Sequence, residues 1–230
     1  MSSFSCQREI LKDKKILDKK IIIVRHGRTA WNDALRFQGR SDVPLNELGR
    51  AQAEKTAKRL ASCSLDAIYT SPLTRARQTA EAIASYQTNK TPIVIDEFTE
   101  ANFGKWEGEY IPGLKERCAE TLNRWLEDPF FNMPSDAETW DALEARVSNG
   151  LDIILSSEHE SVAIISHGGA IRVIYALLLG FDPHTIWRVR LGNCCMSGVR
   201  IKNNKISLDF VNDRFHLRDD FPLGATLPVW

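Results

Sequence analysis

Charge of one sign is what this sequence lacks first. Lysine plus arginine number 30 and aspartate plus glutamate number 30, so the formal net charge is zero. No electrostatic excess asks for nucleic acid or an anionic membrane surface. Long apolar runs are missing too; none approaches the roughly 20 residues that span a bilayer. Met1–Lys20 carries charges throughout and has no apolar core of a secretory signal. Cysteine is sparse: Cys6, Cys63, Cys118, Cys194 and Cys195 form an odd, scattered set without a C-x-x-C pair. That usage fits a reduced, cytoplasmic protein with free thiols. There is no internal repeat and no low-complexity stretch.

What remains is 230 residues, enough for one ordinary domain with a sizeable core. Ile21–Val24 is a β-branched run, and Arg25, His26 and Gly27 follow at once. The pattern predicts a strand from about Lys20 to Val24, preceded by an extension over residues 1–19. Further strands are expected at Leu65–Thr70, Ile93–Ile95 and Ser161–Ser166. Helices are expected from the Asn46 cap to about Ser62 (Leu48, Ala51, Ala57 and Leu60 inward), over Leu73–Tyr86 and over Gly168–Leu179 with a stop at Gly180. Residues of about 97–160 show no strand. They read as a helical cap with helices at Leu114–Glu127 and Ala137–Ser156, broken between them by Pro129 and Pro134. Cys194–Ile201 and Lys205–Val211 flank Asn203-Asn204 as a hairpin. The segment from Arg214 onward has no pattern. Alternating strands and helices give an α/β three-layer sandwich with a mostly parallel central sheet and a helical cap insertion.

Every strong polar signal stands just after an expected strand. Arg25-His26 follows the first, Ser71-Pro72-Leu73-Thr74-Arg75 the second, Glu100 the third and His167-Gly168-Gly169 the fourth. In a parallel sheet these carboxyl ends share one edge, where ligands bind. Two arginines and two histidines there suit a dianion, since guanidinium forks match phosphoryl oxygens. His167 opens a helix, and Gly168 and Gly169 leave backbone N–H groups accessible to an anion. A metal site would have to use His26, His167 and Glu100. The two arginines repel a cation, and the H-E-x-x-H or H-x-x-x-H spacing is missing, so no metal and no cofactor is expected. Glu107 competes with Glu100 for an acid role. His159, His184 and His216 are isolated surface or capping residues. Cys194-Cys195 reads as packing. Phe37, Phe103, Trp106, Trp125, Phe130, Phe131 and Trp140 are cap core, with one or two expected on a pocket wall.

These motifs together resemble the histidine phosphatase superfamily, also called phosphoglycerate mutase-like. The resemblance covers roughly Ile21–Ile201 and rests on five stretches. They are Arg25-His26-Gly27 with Thr29, Trp31 and Asn32; Phe37–Asn46 with Leu48-Gly49; Tyr69–Ala80; Glu100–Gly108; and Ser166–Gly169. The Phe-Gly-x-Trp-Glu-Gly version of the fourth stretch is similar to the small phosphatases, α-ribazole phosphatases among them. The Tyr-Gly-x-Leu-x-Gly version usual in mutases is absent. Arg28 stands where the family commonly has glutamate.

The resemblance implies a metal-independent phosphomonoesterase acting on a small phosphate ester. His26 would be the phosphorylated nucleophile and Glu100 the proton donor. Arg25, Arg75, Asn32 and His167 would hold the phosphoryl oxygens, with Gln38, Gly39 and Gly168 in the binding site. A phosphoglycerate mutase-type transferase and a non-catalytic phospholigand-binding module stand as the alternatives. A homodimer through the hairpin or the segment after Arg214 is compatible with the sequence.

Overall fold

The computed structural model describes residues 17–220. Six strands form one sheet in the order β3-β2-β4-β1-β5-β6. They are β1 (Lys19–Arg25), β2 (Ala67–Thr70), β3 (Ile93–Val94), β4 (Ser161–Ser166), β5 (Met196–Lys202) and β6 (Lys205–Asp213). The first four are parallel. β5 runs antiparallel to β1, and β6 antiparallel to β5. The register aligns Arg25 with Ser166 and Thr70 with Ile165. The polar residues that follow β1, β2 and β4 therefore emerge at one edge.

Central strands covered on both faces need apolar residues at every position. In β4, Val162 and Ile164 enter one core, whereas Ala163 and Ile165 enter the other. The second face is covered by α2 (Glu47–Leu60) and α3 (Thr74–Ala84). The first is covered by α6 (Trp140–Ser156) and α7 (Gly168–Leu179), with the residues between β3 and α6 packed on the same core. A four-residue helix, α1 (Ala30–Asp33), carries a reciprocal cap. The Asn32 N–H donates to Thr29 Oγ1 at 3.2 Å, and the Thr29 N–H donates to Asn32 Oδ1 at 3.1 Å.

The expected elements are present, with corrections. Asn46 caps α2, its side chain accepting from the Gly49 N–H at 2.7 Å. The inward face of that helix, however, is Gly49, Gln52, Ala53, Thr56, Ala57 and Leu60. Leu48 and Ala51 lie off this stripe and are exposed, so two of the four residues assigned inward point out. Buried Gln52 and Thr56 take that space because each has a partner: Gln52 Oε1 accepts from the Arg28 N–H, and Thr56 Oγ1 meets His216 Nε2. The single helix expected over Leu114–Glu127 is two, α4 (Ile111–Arg117) and α5 (Ala119–Glu127). Cys118 turns out of helical geometry between them (φ −149°). Leu122 and Trp125 are buried as expected, whereas Leu126 is exposed. The helix expected from Ala137 starts at Trp140, where Thr139 caps it. α7 stops at Gly180, with φ +68°. The hairpin turns at Asn203-Asn204, both at positive φ. Residues 1–16 of the expected N-terminal extension, and 221–230 of the unpatterned segment, lie outside the described residues.

Candidate active site

A cavity of about 160 Å³ opens at the carboxyl edge of the parallel strands. Arg25, His26, Asn32, Gln38, Gly39, Arg75, Glu100 and Gly168 all line it. His167 has no exposed surface and stands behind His26, the two ring centres 5.1 Å apart. All nine residues singled out in the sequence thus lie at this cavity, eight on its wall and one directly behind.

The tautomer of His26 follows from its neighbour. Nδ1 lies 2.7 Å from the Gly27 carbonyl oxygen, an acceptor, so Nδ1 carries the proton and donates. Nε2 is left with its lone pair. Burial, then the Arg75 and Arg25 guanidiniums, hold the imidazole well below its usual pKa, so it is neutral at pH 7. His167 is pushed down in the same way, by burial first and then by Arg75, His26 and Arg25. Its Nε2 is 2.7 Å from Ser71 Oγ. That oxygen also accepts the Leu73 N–H at 3.3 Å. Nδ1 has no partner among the described residues.

These shifts couple the site to stability. Histidines in the unfolded chain titrate near 6.5. Below that value the unfolded chain takes up protons that buried His26 and His167 refuse, so stability falls as pH is lowered. Thermal midpoints measured from about pH 7.5 to about pH 5.5 are expected to decline, and the decline to be shallower in a His167→Gln variant. A midpoint flat across that range would contradict the neutral pair.

Both arginines of the cradle are fixed by carbonyl groups, not carboxylates. Arg75, fully buried, donates to the Gly39 carbonyl at 2.7 Å and the Ser41 carbonyl at 2.8 Å. Arg25 donates to the Leu191 carbonyl. Neither makes an ion pair among the described residues, and the Nε atoms of both have no partner there. Burial lowers the Arg75 pKa to about 10, which leaves it protonated at neutral pH.

Glu100 is held by backbone. Oε1 accepts from the N–H groups of Ala101 (2.9 Å) and Ala170 (3.1 Å), and Oε2 from that of Gly169 (3.1 Å). The last two are first-turn donors of α7, so the helix N-terminus positions the carboxyl group. Gly169 is needed for this approach: a Cβ there would stand 2.5 Å from Glu100 Oε1. Glu107, the competing acid, does not line the cavity. Its carboxylate clamps the Gly39–Ser41 loop, accepting from the Arg40 and Ser41 N–H groups, from Ser41 Oγ and from the Phe103 N–H. Gly39 turns that loop at φ +52°, and a Cβ there would meet Glu107 Oε1 at 2.1 Å.

The isolated histidines stay away from the cavity. His159 pairs with the Tyr69 hydroxyl, His184 with Asp128 and His216 with Thr56. Cys194 and Cys195 are buried, and burial raises their thiols to about 12 and about 11, unsuited to nucleophilic work. Of the aromatic set, Phe37, Phe103 and Trp125 reach the cavity wall, more than the one or two expected; Trp106, Phe130 and Trp140 are core and Phe131 is exposed. Among the described residues no group of His, Cys, Asp and Glu could hold a metal ion.

Several wall residues carried no signal in the sequence. Asn193 donates from Nδ2 toward the carbonyls of His26 (3.2 Å) and Gly27 (3.3 Å) and toward Asn32 Oδ1 (3.2 Å). It pins the loop that carries His26. Arg172, Trp187, Arg190 and Arg214 also reach the wall. Only Arg172 had a findable position, one turn beyond Gly168 on α7, where it donates to the Gly168 carbonyl at 2.9 Å.

Sheet order, helical cover and a cavity of imidazole and guanidinium groups at the strand ends define the phosphoglycerate mutase-like class of α/β proteins. The model of the histidine phosphatase superfamily (branch 1) matches residues 21–214, and the chain belongs to that family. It is 36% identical over 199 residues to a Bacillus subtilis protein called uncharacterized phosphatase PhoE, covering 86% of this chain and 96% of that one. It is 30% identical over 201 residues to a putative phosphoserine phosphatase 2 of Hydrogenobacter thermophilus, covering 87% and 98%. Among solved structures, a putative α-ribazole-5'-P phosphatase of Escherichia coli superposes with a TM-score of 0.78 at 26% identity, covering 86% and 98%.

Proposed function

We propose that the protein hydrolyses small phosphate monoesters, without a metal, through a phosphohistidine on His26. The observation that carries this reading is a neutral His26 on the cavity wall, its Nδ1 donating to the Gly27 carbonyl and its Nε2 lone pair free, beside buried Arg75 and half-buried Arg25, both held by carbonyl groups. Nε2 attacks phosphorus, the P–O ester bond breaks, and Glu100 gives its proton to the departing alkoxide. Water then attacks the phosphohistidine and gives a proton to Glu100. Inorganic phosphate leaves and Nε2 recovers its lone pair. One hard displacement becomes two easier ones.

Arg25, Arg75, His167 and the α7 N-terminus hold the charge on the transferring group, the main task in phosphoryl transfer. Asn32, Gln38, Gly39 and Gly168 shape the rim of the same cradle. The chain acts as one domain, and the stretch of about 97–160 supplies Glu100, Phe103, Ile111 and Trp125 to the cavity. The phosphatase-named relatives support the reading. The test is release of inorganic phosphate from p-nitrophenyl phosphate and a panel of alkyl phosphates, in the presence of a strong chelator. Turnover undiminished by the chelator is expected. No phosphate release from any ester would overturn the reading.

A further inference from the structure

The Glu100 carboxyl group can deliver a proton only if its main chain is in place, and that main chain belongs to no strand or long helix. Asp96–Phe98 is a single 3-10 turn, after which the chain runs irregularly through Glu100. Carbonyl groups in such a stretch need donors from outside it. Side chains supply them. The Phe98 carbonyl accepts from Ser166 Oγ at 2.7 Å. The carbonyls of Glu97, Thr99 and Glu100 all accept from one residue, Arg146 of α6.

Arg146 uses its whole fork. Nη1 donates to the Glu97 and Thr99 carbonyls, both at 2.6 Å. Nη2 donates to the Glu100 carbonyl at 3.0 Å and to Glu138 Oε2 at 2.9 Å, and Nε donates to Glu138 Oε1 at 2.8 Å. No N–H of the guanidinium is left over. The pair is well shielded, its side chains 17% and 9% exposed, so it is held more firmly than a surface ion pair. Burial pushes the Glu138 carboxyl up, but the bonds and charge of Arg146 outweigh it and leave the carboxyl below its usual pKa, ionised at neutral pH. Glu138 also grips the stretch beyond Glu100. Its N–H donates to the Asn102 carbonyl at 2.9 Å, and its Oε2 accepts the Asn102 N–H at 3.3 Å. Gly150, one turn further along α6, permits the close approach: a Cβ there would stand 2.9 Å from Glu97 Cβ and 2.9 Å from Phe98 Cε1.

We infer that Arg146, held by Glu138, is the positioning residue for proton transfer by Glu100. It stands off the cavity wall and fixes the main chain from which the carboxyl group works. This rests on the phosphomonoesterase reading with Glu100 as the acid. A lysine keeps the charge but, as a compact point donor, cannot span the carbonyls and the carboxylate at once. A displacement of about 1 Å at a reacting group costs on the order of 10²-fold. That loss falls on esters whose leaving group needs a proton and spares those whose leaving group does not.

Arg146→Lys and Glu138→Gln test this, each alone and combined with Glu100→Gln, on an alkyl phosphate and on p-nitrophenyl phosphate. For the alkyl ester, kcat/KM is expected to fall about 30- to 100-fold in Arg146→Lys and about tenfold in Glu138→Gln. For p-nitrophenyl phosphate it should fall less than about threefold in both. In the Glu100→Gln background either change should cost the alkyl ester less than about twofold, because no acid is left to position. Circular dichroism on the same preparations reports the fold; if Arg146→Lys does not fold, Glu138→Gln carries the comparison. Equal losses on the two esters, no loss on either, or a loss undiminished in the Glu100→Gln background would overturn the inference while the wild-type phosphatase activity stands. A wild type that releases no phosphate from any ester would overturn the phosphatase reading, and this inference with it.

Discussion

Replacing His26 with alanine is expected to lower phosphate release by at least roughly 10⁴-fold, while leaving the fold intact. The size follows from what is removed. Among the described residues no other imidazole lines the cavity: His167 stands behind His26 with Nε2 engaged by Ser71, and the remaining wall nitrogens are guanidinium, amide, indole or backbone. A factor of 10⁴ corresponds to about 5.5 kcal/mol of barrier. The arginines would still bind the ester, so affinity for it is retained. The stability effect is modest by comparison, because an imidazole that burial keeps neutral gives up only its bond to the Gly27 carbonyl. Circular dichroism and a phosphate-release assay on the same preparation check both halves. Residual activity within about tenfold of wild type would remove His26 from the chemistry.

The second large effect separates the two tasks given to Glu100. Glu100→Gln is expected to cut kcat/KM for alkyl phosphates by roughly 10²–10⁴, the usual worth of a positioned general acid. For p-nitrophenyl phosphate, whose leaving group departs without a proton, the loss in kcat/KM should be under about tenfold. The kcat values should fall for both substrates, because hydrolysis of the shared phosphohistidine still needs the base. A burst of p-nitrophenol, one per active site, would follow. The variant keeps one oxygen for the Ala101 and Ala170 N–H groups, but its NH₂ then faces the Gly169 N–H. An Asp substitution, which keeps the acid and shortens the arm, controls for that mismatch. Equal losses in kcat/KM for good and poor leaving groups would assign Glu100 to positioning only.

The sheet and the cradle were legible because they are written in local patterns. The β-branched run before Arg25, the Val162–Ile165 run and the glycine after Leu179 each specify their element with little help from the rest of the chain. Polar residues just past strand ends were then gathered by the parallel register alone. The errors arose where tertiary contacts decide. Leu48 has the hydrophobicity for a core position, but Gln52 and Thr56 occupy the inward stripe because Arg28 and His216 satisfy them. Nothing in Cys118 breaks a helix, yet the chain turns there between α4 and α5. Asn193, Arg190 and Arg214 reach the cavity from segments with no periodicity. Their positions depend on backbone ties to Arg25, Arg172 and Asn212, which only folding creates. The competition between Glu100 and Glu107 was likewise undecidable by spacing. The fold puts Glu100 on the cavity wall and leaves Glu107 off it, held by four protein donors on the Gly39–Ser41 and Phe103 loops.

The most direct test is a rapid-quench experiment with an ester carrying radioactive phosphorus. Protein and ester are mixed, stopped in alkali within one turnover, digested and mapped. The account predicts an alkali-stable, acid-labile phosphoryl group on the peptide containing His26, formed and lost at rates that match turnover. Steady phosphate release with no label on that peptide, or with label on another residue, would contradict it.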